Sequence, residues 1–129
     1  MLLLYANEYE VKHVHYMPAR CIGLGACKLG YHEWDIKKAD SVILFGCAGW
    51  IPGKGVKLDR LYEWSHLGPL VDMESEIVSD LCKKHGVEFR SIRYIIDYDR
   101  GKVMPTGINH FWRKYQHRRM QRKFNKWLS

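Results

Sequence analysis

Acidic residues are missing from the end of this chain. From Val103 to Ser129 there are seven Lys and Arg (Arg113, Lys114, Arg118, Arg119, Arg122, Lys123, Lys126) and no Asp or Glu. Taking those seven from the 21 cations of the whole chain leaves 14 against its 14 acids, so the net charge of +7 belongs to this tail. Cysteine is scarce too. Cys21, Cys27, Cys47 and Cys82 form no CxxC pair and have no His at zinc-ligand spacing, which argues against a disulfide or metal framework and for buried free thiols. His13 and His15 would share one face of an extended segment, but no third ligand stands near them to complete a metal site. Long apolar runs are also absent. The opening MLLLYANEYE is too short in its apolar part for a signal peptide or a spanning helix, so a cytoplasmic chain with no membrane partner is expected. With 27% charged and 47% apolar residues, the 129-residue chain has a globular balance. A domain of this size buries roughly two thirds of its unfolded surface without staples. One domain is expected, 1–108, with 109–129 as its basic C-terminal helix.

The most informative stretch is Leu70 to Gly101. Ile77, Val78, Leu81 and Cys82 recur at three- and four-residue spacing, which predicts a helix with one apolar stripe. Gly86 stands where a left-handed C-cap belongs. Phe89 to Ile96 is rich in β-branched and aromatic residues and predicts a strand that delivers Asp97 to its carboxyl end, where ligands sit in an open α/β sheet. Glu74 falls in the first turn of the helix. Arg93 has two readings, ion-pair partner of Glu74 or Asp72, or simply exposed.

This block, Val71-Asp72-Met73-Glu74, a helix, Gly86-Val87-Glu88-Phe89 and Arg93-Tyr94-Ile95-Ile96-Asp97, resembles the purine nucleoside phosphorylase and nucleosidase superfamily, most nearly its methylthioadenosine/S-adenosylhomocysteine nucleosidase branch. The resemblance implies a three-layer α/β fold with a mostly parallel central sheet, in reduced form. It further implies that Met73 lies against the ribose, Glu74 holds sugar hydroxyls and Asp97 protonates the purine. No metal or organic cofactor is implied. The substrate would be a purine nucleoside, and a homo-oligomer is expected.

Upstream, Leu2 to Ala6 is a continuous apolar run that suits a strand buried on both faces. It runs into Asn7-Glu8-Tyr9-Glu10-Val11, similar to the family's Ala-x-Glu-x-Glu-Val turn, which would make Glu10 the residue that positions the attacking water. On the residues alone, Glu8 and Glu10 are equally well solvated turn acids. Cys21 to Ala26 predicts a short strand breaking into a glycine turn, followed by a helix to about Lys38. Gly23-x-Gly25 can present N–H groups to an anion, although a tight strand-to-helix turn needs the same glycines. Val42 to Phe45 predicts an apolar strand that opens into a loop, Gly46-Cys47-Ala48-Gly49, similar to the family's loop beneath the nucleoside. Pro52 and Gly53 extend that loop, and Gly55 to Glu63 alternates as a further strand.

The chain departs from the family by passing from Trp64 to Val71 almost directly, without the segment that contributes purine contacts. Trp50, Trp64 or Tyr98, or a partner subunit, could supply a stacking wall. The glycine segments carry no arginine for a phosphate co-substrate, which favours hydrolysis over phosphorolysis. Finally, Asn109 to Leu128 predicts a helix. Ile108, Phe111, Trp112 and Tyr115 lie on one face while Met120, Phe124, Trp127 and Leu128 drift to another, as if the helix kinked or a second segment docked elsewhere. Basic and aromatic residues interleave there as on a nucleic-acid surface, and equally as on a structural helix with a solvated basic face. The rival to a nucleosidase is an inactive binding or structural relative that keeps the fold, binding nucleic acid through this helix.

Overall fold

The computed structural model describes residues 1–51, 55–97 and 106–129, the side chains of Asp97 and of 106–110 excepted. Tyr98, Asp99, Pro52, Gly53, the Gly101-Lys102 turn and the side chain of Ile108 therefore lie outside the described residues, as does the side-chain position of Asp97.

The apolar run at the start is strand β1, Leu2–Tyr5. Its side chains alternate between two cores: Leu2 and Leu4 join one, Leu3 the other. Next come β2 (Ala19–Cys21), the short helix α1 (Glu33–Lys38), β3 (Ser41–Trp50), β4 (Tyr62–Glu63), β5 (Leu70–Val71), α2 (Ser75–Lys84), β6 (Glu88–Asp97) and α3 (Thr106–Leu128). The six strands make one mixed sheet in the order β2-β1-β3-β6-β4, with β5 on β3. β1, β2, β3 and β6 pair in parallel, whereas β4 and β5 run antiparallel to their partners. The fold is α/β with a mostly parallel mixed sheet. Leu4, Leu44 and Ser91 stand in line across the three central strands. The path leaves β1 toward β2, returns to β3 on the other side and continues to β6. The order therefore reverses between β1 and β3, the place where open α/β sheets hold ligands beyond their carboxyl ends.

Two cores make three layers. On one face Leu2, Leu4, Val42 and Leu44 pack against Ile36 of α1 and Val78 and Cys82 of α2. On the other, Leu3, Ile43, Phe45, Ile92, Tyr94 and Ile96 pack against Met120 and Phe124 of α3, with the rings of Phe45 and Phe124 stacked at 3.9 Å. Removing a ring of this kind costs about 3–5 kcal/mol. A smaller cluster of Ala48, Leu70 and Ile95 gathers Trp50, Val56, Leu58, Tyr62 and Trp64.

Several expectations are corrected. The helix from the glycine turn to Lys38 is two 3-10 turns, Leu24–Ala26 and Leu29–His32, before the single short α1, because Gly23 and Gly25 take positive φ (75° and 65°) and interrupt the ladder. Gly46-Cys47-Ala48-Gly49 is not a loop but the second half of β3, held extended by β6 alongside as far as Gly49. Of the strand expected over Gly55 to Glu63 only Tyr62–Glu63 forms. The Leu58 carbonyl is taken instead by Gln116 and Arg119 of α3. His13 ends a turn and His15 lies in the irregular stretch after it, their N–H groups donating to Gln121 Oε1 and Asn125 Oδ1. Ile77 is 48% exposed, so the buried stripe of α2 is Val78 and Cys82 with Leu81 beside them.

The terminal helix is one continuous element with no second segment. Phe111 and Tyr115 are exposed, and the buried side carries Gln116, Met120, Gln121 and Phe124. Those amides meet backbone carbonyls: Gln116 donates to Leu58 and Ile95, and Gln121 to Tyr9. Their burial is hidden in a hydropathy pattern because the partners are main-chain atoms far away in sequence. Among the described residues no helix is long and apolar enough to cross a membrane.

Candidate functional site

β1 stops at Tyr5, whereas β3 runs on to Trp50 and pairs β5 only at Gly49 and Trp50. Since β6 lines the opposite edge of β3, a gap opens between β1 and β5, level with Gly46 and Cys47. Glu10 fills it. Residues 8–10 form a 3-10 turn capped by Asn7, whose side chain accepts from the Tyr9 N–H while Glu10 reaches back to the Asn7 N–H, a reciprocal capping box. Glu10 Oε1 accepts from the N–H groups of Ala6 (3.0 Å) and Asn7 (3.2 Å). Oε2 accepts the Cys47 N–H at 2.9 Å, with the weak Cys47 thiol donor at 3.5 Å. The carboxylate thus does for β3 what a neighbouring strand would have done. Only glycine fits beneath it, because a Cβ on Gly46 would lie 2.6 Å from the Glu10 carboxyl carbon. Glu10 is 2% exposed, whereas Glu8 points outward and accepts from the Tyr5 hydroxyl.

Opposite Gly46 across the parallel pair stands Arg93, fully buried. Its Nε lies 2.8 Å from Asp72 Oδ2 and its Nη2 3.5 Å from Glu74 Oε1, and Nη2 donates to the Cys47 carbonyl at 3.1 Å. The Nε contact is an ion pair without hydrogen-bond alignment, and Nη1 has no acceptor among the described residues. Asp72 accepts the Ser75 N–H at 2.9 Å and also bonds the Ser75 hydroxyl, which meets Ser91 Oγ at 2.8 Å and so ties the start of α2 to β6. Glu74, 4% exposed, is the residue before α2 rather than a member of its first turn. Its Oε2 accepts the Gly25 N–H at 2.9 Å. The anion that the glycine turn serves is therefore one of the protein's own carboxylates.

The electrostatics follow from burial. Desolvation pushes Glu74 above the usual carboxylate range, the Gly25 N–H and Arg93 oppose the shift, and Asp72 and Glu10 add to it. Burial, with Glu10 next to it, pushes the Cys47 thiol up to about 12, so it is a neutral thiol at pH 7 and a poor nucleophile. Tyr94, its hydroxyl 2.6 Å from His117 Nδ1, is raised well above its ordinary value by burial, and burial lowers His117.

The sequence-predicted residues divide as follows. Glu10, Glu74, Gly46 and Cys47 come together. Met73 is 61% exposed at the rim, beside Glu74. Ala48 packs into the small third cluster, and Gly49 pairs with Asp97 past a register shift at the carboxyl end of β6. By strand rise, the Asp97 backbone is roughly 13 Å beyond Arg93. Trp50 and Trp64 are engaged in packing, Trp50 with the ring of Tyr62 at 5.1 Å and Trp64 with His66 at 4.6 Å. Of the two sequence readings of Arg93, ion-pair partner of Glu74 or Asp72 and simply exposed, the structure has the first, while Ser75 and Ser91 as supports of the cluster are not marked by any pattern. The one readable signal was Asn7-x-x-Glu10, a capping box in plain sequence. No group of three His, Cys, Asp or Glu able to hold a metal occurs among the described residues. Compared with family models, curated proteins and solved structures, the chain matches none.

Proposed function

We propose that the protein is a purine nucleosidase, a hydrolase of the N-glycosidic bond built on a reduced nucleoside phosphorylase-like scaffold. The observation that carries this reading is the gathering of two buried carboxylates from distant parts of the chain: Glu10, seated on the Cys47 N–H beside the sheet's reversal point, and Glu74, paired with Arg93 and close enough to Glu10 for that charge to raise its proton affinity. In the proposed reaction, water adds to the anomeric carbon of the sugar and sheds one proton to solvent by way of Glu10, the bond to the purine nitrogen breaks with its electron pair, and the leaving base takes a proton from Asp97, which solvent restores. Glu74, with lone pairs left after Gly25 and Arg93, accepts sugar hydroxyls over Met73. A carboxylate has about four acceptor positions. Three of Glu10's are filled by N–H groups, so the water would take the place of the weak thiol contact of Cys47. The charge of Arg93 is committed to Asp72 and Glu74, which favours water over phosphate as the second substrate. A cytoplasmic, oligomeric enzyme remains part of the proposal.

The saturation of Glu10 favours a rival reading, in which it is a strut and the protein an inactive relative. The test is free-base release from methylthioadenosine, S-adenosylhomocysteine and plain purine nucleosides. Wild type is expected to release base, and Asp97→Asn to lose roughly 10²–10⁴-fold, the usual worth of general acid help. Undiminished release by Asp97→Asn removes the mechanism. No release from any substrate favours the strut.

A further inference from the structure

The exposed side of α3 borders a groove of about 680 Å³ that the acid cluster does not use, lined among others by Tyr9, Lys12, Phe111, Lys114, Tyr115 and Arg118. Tyr115 and Arg118 also line a second depression of about 290 Å³ with Arg122, Lys123 and Lys126, so the two run on from each other down the helix. From 111 to 126 the helix rises roughly 20 Å. Among the described residues Lys12, Lys114, Arg118 and Arg122 make no ion pair. Their field is felt locally: after burial, Lys12, Arg118 and Arg122 are what hold His13 below its ordinary value. Tyr9 and Phe111 are each 74% exposed and Tyr115 50%. The Arg119 guanidinium lies over the Tyr115 ring at 5.0 Å, a cation–π contact beside the groove.

We infer that this groove binds single-stranded nucleic acid, its phosphates on Lys12, Lys114, Arg118 and Arg122 and its bases against Tyr9, Phe111 and Tyr115. The exposed rings choose the single strand, because a closed duplex offers them no base face. A lipid surface is disfavoured. An interfacial helix needs a free apolar face apart from its cations, and α3 has spent that face, with Met120 and Phe124, on the core. A small phosphate would use one or two of the cations and leave the rest of the groove unexplained.

The inference stands apart from the hydrolase proposal, since it uses none of Glu10, Glu74 or Asp97. The experiment is fluorescence anisotropy of the full chain with labelled mixed-sequence single-stranded RNA and DNA, the matching duplexes, and phosphatidylserine vesicles. Single strands are expected to bind, with log Kd rising against log salt at a slope of about 3, the value for four contacts on a single strand. The double variant Arg118→Glu, Arg122→Glu is expected to weaken binding more than about tenfold at an unchanged melting temperature. Tyr9→Ala, which leaves the charge alone, should weaken it roughly five- to a hundredfold, the worth of one stacked base. The inference is overturned if duplex binds as tightly as single strand while Tyr9→Ala changes nothing. Binding to vesicles without binding to oligonucleotides, or to neither, overturns it as well.

Discussion

Replacing Gly46 by alanine tests whether Glu10 is seated as described. A methyl group at this position would fall 2.6 Å from the carboxyl carbon and closer still to Oε2, nearer than real side chains come. The strand cannot retreat, because Gly46 is paired with Arg93 on β6. The carboxylate must therefore leave, and with it three hydrogen bonds, to Ala6, Asn7 and Cys47. Each buried N–H left without an acceptor costs about 1–3 kcal/mol. For three of them that is about 3–9 kcal/mol, and with water and partial relaxation Gly46→Ala should cost roughly 3 kcal/mol, the low end of that sum. For a domain of this size that is a fall in Tm of about 10–15 °C. Glu10→Ala should cost a similar amount by removing the same bonds. The informative protein is the double variant: with the carboxylate gone the methyl group has room, so Gly46→Ala should add less than about 1 kcal/mol in the Glu10→Ala background. The coupling of roughly 2–3 kcal/mol is well above the 0.5 kcal/mol that separates additive from interacting sites. Thermal and urea unfolding of the four proteins measures it. Additive losses, or a Gly46→Ala protein as stable as wild type, would refute the strut.

The remaining expectations concern charge. Arg93→Met leaves Asp72 and Glu74 buried without a cation and should cost about 3–5 kcal/mol, a large part of the 5–15 kcal/mol that holds a domain together; a urea midpoint within error of wild type would contradict it. Burial holds Glu74 above its ordinary 4.5, so between that value and the folded one the native state carries the extra proton and stability falls as pH rises through the window. Glu74→Gln, neutral throughout, should lack that decline; parallel pH curves for the two proteins would count against the assignment. His117 is held below its ordinary 6.5, so its contribution is present above that pH and is lost as pH falls and the unfolded state takes up the proton first. His117→Gln should flatten the acid limb below about pH 6.5, and an unchanged limb would assign it to another group.

How much of this was legible in sequence depended on whether the cause was local. β1, the apolar half of β3, α2 with its Gly86 turn and β6 are visible because period and turn chemistry act within a dozen residues. The second half of β3 was hidden for the opposite reason. Glycine and alanine speak for a loop, and only the β6 ladder on one side and the Glu10 carboxylate on the other keep the chain extended. The buried face of α3 is not legible in sequence because Gln116 and Gln121 look like surface residues until the carbonyls of Leu58, Ile95 and Tyr9 are placed beside them. At the site, the carboxylates were legible by motif. Their common cation was legible only as an alternative, since nothing in the sequence aims Arg93 at Asp72 and Glu74 rather than at water.

The composition of the cluster bears on which reading of the site is stronger. As a device for stability, two buried acids on one arginine with a third buried acid nearby is poor: each ion loses several kcal/mol of hydration, and an apolar set of the same volume is often as stable or more so. Glu10 escapes that objection, because its three N–H donors close a gap in the sheet that a hydrocarbon would leave open. Asp72 escapes it in part, as the acceptor for Ser75 at the start of α2. Glu74 does not. Its Gly25 bond only stitches a turn, its side chain caps nothing, its contact with Arg93 is the long one at 3.5 Å beside the 2.8 Å pair that Asp72 makes, its proton affinity is raised, and it stands beside an exposed Met73. A buried carboxylate with spare acceptor capacity and little structural employment is where function is most often found. A nucleosidase and a strut therefore part company at Glu74 rather than at Glu10. Glu74→Gln should leave the fold near wild-type stability at neutral pH and raise KM for any nucleoside the wild type cleaves, whereas a Glu74 that is purely structural would lose stability on substitution and change no kinetic constant of the surviving folded protein.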